Sequence, residues 1–412
     1  MRSRRIPLLL AMLALLLAGL YSGERLFFVG FVLLCLVVAL ALFCLVYSGL
    51  FFKYLQVLEP QAGVKGENVA LTLQVHNDYL LPIAHIKLFY QTIDSQLTGT
   101  PVSFSAMLLP RQHSVHSLEI HCRFRGRWDV GLTHVELMDP FGLFRLRLKV
   151  KWFLSHKDLS LLVRPRVLPI ASLPLRQRND EGLLESLPRP SADIAMYSDI
   201  RKYRAGDPLK RVHWKLTARQ RELMVKNYEE TALPDLLLYV DTKASGLPRL
   251  EQLTLEDTVV ECATAFVNYL LNVHMPVSMI SYGRERTQLR GTRQEHFNAF
   301  YNLLGELPFD GQFPMVDVLF NDLKAITHAG NLVLITWDLH DRLYDLLMVM
   351  MSSGIQVTLV YVYLHGEDPT EVSKAAAKGR VGRMVDAMRA AGILVIDLEA
   401  GQNVAERIRL LQ

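Results

Sequence analysis

Two apolar runs open the chain. Ile6 to Tyr21 is apolar, Ser22-Gly23-Glu24-Arg25 interrupts it, and Leu26 to Phe52 then carries no charge before stopping at Lys53. A helix needs roughly 20 apolar residues to cross a bilayer, so the second run suffices and the first is marginal. A basic start before a short apolar stretch also describes a signal peptide, but no small-x-small cleavage site is evident and a further span follows at once. Arg2, Arg4 and Arg5 put the N-terminus on the cytoplasmic side, where basic flanks are retained. The expectation is a transmembrane hairpin over residues 1–53, with residues 54–412 returned to the cytoplasm. A cleaved first segment would leave the second running in the same direction.

Beyond the hairpin the period changes to two. Val69 to Val75, Ile86 to Tyr90 and His116 to Cys122 alternate apolar with polar residues, the mark of half-buried strands. Turn residues punctuate them at Gly63, Asn77-Asp78, Pro82, Gly99, Pro110 and Gly126. Short strands at this spacing, with no long helical period between them, predict a β-sandwich over residues 54–168. Asp139-Pro-Phe-Gly-Leu-Phe-Arg145 suits a corner, with Asp capping, Pro fixing φ, Gly taking positive φ and the aromatic rings folding back on the sheet. His113, His116 and His121 do not make a metal site, because the first two fall on opposite faces of a strand and no Cys or carboxylate cluster joins them.

Residues 169–232 hold a proline-containing connector followed by a basic segment. From Pro234 on, apolar strands alternate with helices. Strands are expected at Asp235–Asp241, Val277–Tyr282, Leu332–Thr336, Ile355–Tyr361 and Ile393–Asp397, with Arg286–Arg290 as an antiparallel edge. Helices are expected at Leu253–Asn272 and near 293–306, 315–328, 339–352, 370–390 and 402–411. Strands separated by helices predict a mainly parallel sheet covered on both faces, an α/β domain over residues 233–412.

A length of 412 residues fits two or three domains. The four cysteines show no paired spacing and no C-x-x-C, which argues against a disulfide framework or a thiolate metal centre. The charge is concentrated in one place. Asp199 to Lys226 holds nine Lys or Arg against three acids, a local excess above the +4 of the whole chain. The pattern there is Asp199-Ile-Arg201, Tyr203, Gly206-Asp207, Val212-His213-Trp214-Lys215, Ala218-Arg219 and Val225-Lys226. It resembles the signature of the bacterial membrane-anchored DUF58 family. Phe124-Arg-Gly-Arg-Trp128 and the Asp139 corner are similar to that family too.

The resemblance implies a von Willebrand factor A-like C-terminal domain and a MoxR-type AAA+ ATPase as partner. The expected setting is the bacterial inner membrane, with other membrane or envelope proteins and membrane lipid as further contacts. On this reading Arg201, Tyr203, Gly206, Asp207, His213, Trp214, Lys215 and Arg219 form a partner-binding surface. In von Willebrand factor A domains the first strand ends in D-x-S-x-S, whose oxygens hold a divalent cation. Here Asp241 and Ser245 match, Lys243 replaces the middle serine, and Asp338 is placed for a later aspartate, while Pro308–Asp317 has no threonine. Mg2+ wants near-octahedral oxygen ligands. An ammonium at 243 removes one ligand and repels the ion, so the metal is disfavoured, and Lys243 is expected to pair with Asp241 or Asp338 instead.

Neither a P-loop nor H-E-x-x-H occurs, and no nucleophile elbow surrounds Ser198 or Thr217. The family resemblance implies a non-enzymatic adaptor or assembly factor for the ATPase, in envelope stress or maturation, with a hydrolase or other enzyme using Asp207 and His213 as the alternative. Lys and Arg interleaved with aromatics also occur in nucleic-acid sites, but the segment sits in a membrane-tethered chain and matches no such fold.

Overall fold

The computed structural model describes every residue except 1, 153–157, 174–196, 203–213, 215–216, 219–221, 229–234, 365–371 and 411–412. It divides into two units, residues 1–166 with 302–307 and residues 167–301 with 308–412.

The first unit begins with helices α1 (Arg2–Ser22) and α2 (Arg25–Phe51). Gly19 lies against Phe28 and Gly30 against Leu15, so the two run antiparallel. α2 has 27 residues, or about 40 Å at 1.5 Å per residue, and is long and apolar enough to cross a membrane. The apolar part of α1, Ile6–Ser22, is shorter than a full span.

Two sheets follow. The first has the order β1 (Lys53–Glu59), β3 (Asn68–His76), β6 (His113–His121), all antiparallel. The second runs β2 (Ala62–Val64), β9 (Leu159–Arg164), β7 (Gly126–Met138), β4 (Ile83–Gln91), β5 (Val102–Leu108), with β8 (Arg145–Lys149) also on β7. The expected strands are β3, β4 and β6, with limits that move by at most three residues. Alternation decides which side is buried: Val69, Leu71, Leu73 and Val75 of β3 point inward, as do Ile86, Leu88 and Tyr90 of β4. A short helix, α3 (Ile93–Thr98), closes the end after β4, capped by Thr92.

The corner at Asp139 forms largely as expected. The buried carboxylate accepts from the backbone N–H of Phe141 at 2.9 Å and of Phe144 at 2.5 Å, and Gly142 has φ +69°. The inward residue is Leu143, however, while Phe141 stays exposed. Asp139 already fixes the turn through the backbone, so an aromatic clamp is not required. Trp128 is buried and its indole N–H is shared by the carbonyls of Phe124 and Arg125.

In the second unit, β10 (Tyr197–Lys202) and β11 (Met224–Tyr228) form a two-stranded antiparallel ribbon. The charge of the segment marks it as unsuited to a sheet core, and a two-stranded ribbon outside the main sheet is how it forms strand. The main sheet has the order β14 (Arg286–Gly291), β13 (Val277–Tyr282), β12 (Leu236–Val240), β15 (Asn331–Thr336), β16 (Gln356–Tyr363), β17 (Leu394–Glu399). All neighbours are parallel except β13 and β14. The central strands β12 and β15 are buried at every position, as expected where helices cover both faces.

One face is covered by α4 (Arg249–Asn272), whose middle is buried along nearly its whole length, and by α10 (Val404–Leu410). The other carries α6 (Met315–Asn321), α7 (Leu323–Ala329), α8 (Asp341–Ser352) and α9 (Val372–Ala390), packed on Leu237, Tyr239, Leu332, Leu334, Val357 and Leu359. The single helix expected near 315–328 breaks at Asp322. That carboxylate accepts from the hydroxyls of Tyr239 at 2.9 Å and Tyr282 at 3.0 Å and from Arg286 at 3.3 Å. A further helix, α5 (Phe297–Glu306), follows β14.

At the far edge Asp397 accepts from Arg389 at 2.6 Å and from Arg407 at 2.9 Å, tying β17 to α9 and α10. Burial raises the pKa of this carboxyl, but the hydrogen bonds and charges of the arginines outweigh it, so its folded-state pKa lies below the ordinary value. A lowered folded pKa stabilises the fold above the unfolded pKa of about 3.9 and loses that contribution as pH falls through the folded value. Asp397→Asn is therefore expected to destabilise the chain at pH 7 by on the order of 1 kcal/mol. Thermal melts should show the gap closing below about pH 4; a pH-independent gap would mean that the charge is not its source.

Candidate functional site

The sheet order reverses between β12 and β15, because the chain goes outward from β12 through β13 to β14 and then returns to the other side of β12. In open α/β sheets the loops leaving the carboxyl ends of two such strands diverge and leave a crevice, where ligands bind. Asp241 follows β12 directly, and Thr336 ends β15. These two residues stand at that switch point.

Asp241 is 1 % exposed. Its Oδ2 accepts from the Thr336 hydroxyl at 2.6 Å and its Oδ1 from the backbone N–H of Lys243 at 3.0 Å. The Thr336 oxygen in turn accepts from the N–H of Asp338 at 3.1 Å. Burial pushes the Asp241 pKa upward, and the hydrogen bonds from Thr336 and Lys243 oppose that. Lys243 Nζ donates to Asp338 Oδ2 at 2.7 Å and stands 5.8 Å from the centre of the Trp337 ring. His340 Nδ1 is 3.8 Å from the other Asp338 oxygen. Burial, and then the charge of Asp338, raises the pKa of Tyr361 on neighbouring β16.

The loop after α5 completes the edge. Gly311 donates its N–H to the Thr242 carbonyl and accepts from the N–H of Ala244, both at 3.0 Å. A Cβ at Gly311 would sit 2.4 Å from the Tyr282 carbonyl oxygen and 3.0 Å from that of Thr242. Only glycine lets these three backbones meet. Next to it, Asp310 accepts from the N–H of Arg284 at 3.2 Å and pairs with its guanidinium at 3.1 Å. The β13–β14 turn is thereby held to the same cluster.

These residues do not suit a divalent cation. The ammonium of Lys243 already neutralises Asp338, and both oxygens of Asp241 accept hydrogen bonds from within the protein. Ser245 Oγ accepts from the Leu247 N–H at 3.4 Å, within its own loop. Of the two acids expected as partners of Lys243, Asp241 and Asp338, it is Asp338 that accepts from the ammonium, and the side chain serves as an internal cation. Thr336 and Gly311 escaped the sequence reading. The Thr336-Trp-Asp338 spacing, a hydroxyl two residues before an acid at a strand end, was the available signal for Thr336.

Residues 199–322 match the family model described as "Protein of unknown function DUF58". This region of the chain is thus similar to the DUF58 family, as the signature implied. The DUF58 match begins at the signature and includes Asp241, Lys243, Ser245 and Gly311, while Thr336 and Asp338 lie beyond it. No curated protein matches this chain.

Among solved structures it is similar to the CARDB domain of a Pyrococcus furiosus protein, at 11% identity over 27% of this chain and 94% of that one, with a TM-score of 0.20. It is also similar to the alkylpurine DNA glycosylase AlkC of Pseudomonas fluorescens, at 18% identity over 24% and 30% of the two chains and a TM-score of 0.16. The sporulation control protein Spo0M of Bacillus subtilis gives 15% identity, 27% and 49% coverage and a TM-score of 0.16. Likenesses at these TM-scores say nothing of fold or function.

Of the signature residues, Tyr203, Gly206, Asp207, His213, Lys215 and Arg219 lie outside the described residues. Arg201 is described as backbone within β10. Trp214 is described and is 65% exposed. The Thr217 hydroxyl accepts from the N–H of Met224 at 3.0 Å, closing the segment back on β11.

Two outcomes test the site. Lys243→Ser recreates D-x-S-x-S and frees Asp338, so it should gain Mn2+ or Mg2+ binding that the wild type lacks. At 100-fold excess over Kd, binding raises stability by about 2.7 kcal/mol, readable as a metal-dependent rise in melting temperature. A shift of equal size in the wild type would overturn the internal-cation assignment. Gly311→Ala should destabilise the second unit by roughly 1–3 kcal/mol, within the range for overpacking, since backbone carbonyls on both sides must give way.

Proposed function

We propose that this DUF58 protein is a membrane-anchored, non-enzymatic adaptor or assembly factor that works with a MoxR-type AAA+ ATPase, in envelope stress or the maturation of protein complexes. The observation that carries the non-enzymatic part is the Lys243–Asp338 pair at 2.7 Å. It places a side-chain cation at the switch point, where an α/β enzyme of this topology would hold its ligand or metal. The edge is then left as a surface of hydrogen-bonded loops. Trp214, 65% exposed in the basic segment, is suited to anchor a partner, because large aromatics dominate interface energetics.

The second unit is read as von Willebrand factor A-like. Its support is the strand order with the reversal beside β12, the antiparallel β14 at the edge and the position of Asp241. The ATPase partnership rests on the family resemblance. The reading places the protein in the bacterial inner membrane as a multi-pass hairpin of α1 and α2, with residues 54–412 in the cytoplasm. The apolar length of α2 and the basic residues in the first turns of α1 support it.

The test is capture of the full chain, solubilised in detergent, from its native host. A MoxR-type ATPase should be retained, and Trp214→Ala should reduce its retention about tenfold, the effect of losing roughly 1.4 kcal/mol at an interface anchor. Retention of no ATPase, with or without Mg2+ and ATP, would remove the adaptor reading.

A further inference from the structure

At the end of α2 the first unit carries a structured apolar platform. Lys53 opens β1 one residue beyond Phe52 and pairs in register with His76, the last residue of β3. The membrane end of the sheet is thereby fixed at His76. Two loops project from it, one from Asn77 to Pro82 and the other from Leu109 to Gln112.

A single buried side chain joins them. Asn77, 2% exposed, donates from Nδ2 to the carbonyls of Leu81 at 2.9 Å and Leu109 at 3.0 Å. Backbone bonds from Asn77 to Gln112 at 2.9 Å and from Arg111 to Tyr79 at 3.2 Å complete the tie. The two loops are one hydrogen-bonded body.

That body reaches back along α2. The Tyr79 ring stands 4.3 Å from that of Phe51 and 6.1 Å from that of Tyr47, one turn further up the helix. Lys53 lies 5.6 Å from the Tyr79 ring centre and 3.2 Å from Asp78. At the tips, Leu80 is 72% exposed and Leu109 is 54% exposed, although the loops are joined through backbone groups and Asn77 and not through these two side chains. Arg111, also exposed, adds a cation at the same level. Tyrosine rings with flanking cations are the composition of a membrane–water interface. α2 is about 10 Å longer than the roughly 30 Å hydrocarbon core, which leaves room for its last turns, with Tyr47 and Phe51, at headgroup depth.

We infer that the Asn77–Pro82 and Leu109–Gln112 loops are a lipid-contacting foot, seating Leu80 and Leu109 in the headgroup region of the bilayer that α2 crosses. The foot holds the first unit at a fixed height and tilt on the membrane. The inference rests on α2 spanning the bilayer.

The test uses the full chain in nanodiscs with Cys35 and Cys44 changed to serine; Cys122 and Cys262 are buried. An environment-sensitive fluorophore is placed in turn at Leu80→Cys, Leu109→Cys, Leu36→Cys within α2, and Thr100→Cys, exposed at the other end of β5. Lipids carrying a quencher near the headgroup or at the chain end report depth. The labels at 80 and 109 should be blue-shifted and quenched by the headgroup-proximal lipid, with that at 100 unquenched and that at 36 quenched by the chain-end lipid. A deep label at 36 with water-like labels at 80 and 109 would overturn the foot and leave the span standing. A water-like label at 36 would overturn the span, and the foot with it.

Discussion

The reversal of strand order beside β12 is the constraint on which the second unit depends. It sends the loops after β12 and β15 apart at the carboxyl edge of the sheet, and they have to be tied together again. A carboxylate buried in apolar surroundings is costly unless its oxygens are hydrogen-bonded. Asp241 is satisfied only when Thr336 and the Lys243 backbone approach it, one from each side of the divide. The loop carrying Gly311 docks on the same turn. A single buried carboxyl group and the backbone bonds of Gly311 thus bring these segments together.

The architecture of both units was largely legible in the sequence because its periods are clean. Leu236 to Val240 and Leu332 to Ile335 are continuous apolar runs, and such runs separated by helices have few other solutions. Arg286 to Gly291 alternates polar residues and so belongs at an edge. The break at Asp322 was not legible, since nothing in its helical pattern announces that Tyr239, Tyr282 and Arg286 converge there from three strands. Leu143 replacing the aromatics at the Asp139 corner is a similar case, decided by packing and not by turn chemistry.

The candidate site was legible in part, through one departure from a motif. Lys243 in D-x-K-x-S signalled that an ammonium stands where a cation site would be, and the structure pairs it with Asp338. Thr336 and Gly311 act through distances that no local pattern reports. The first unit shows the same division of labour: the sequence gives α2 its apolar length, while the register of Lys53 with His76 determines which loops face the helix end.

A metal-dependent adhesion site has a dissociation constant, and its occupancy follows the concentration of free ion. A tethered ammonium has none. Its local concentration is set by the four carbons that join it to the backbone, so the loops around Asp338 are held in one arrangement whatever the supply of divalent cations or the presence of a chelator. The charge and shape of this edge are thereby set by the chain's own side chains and not by the supply of an ion.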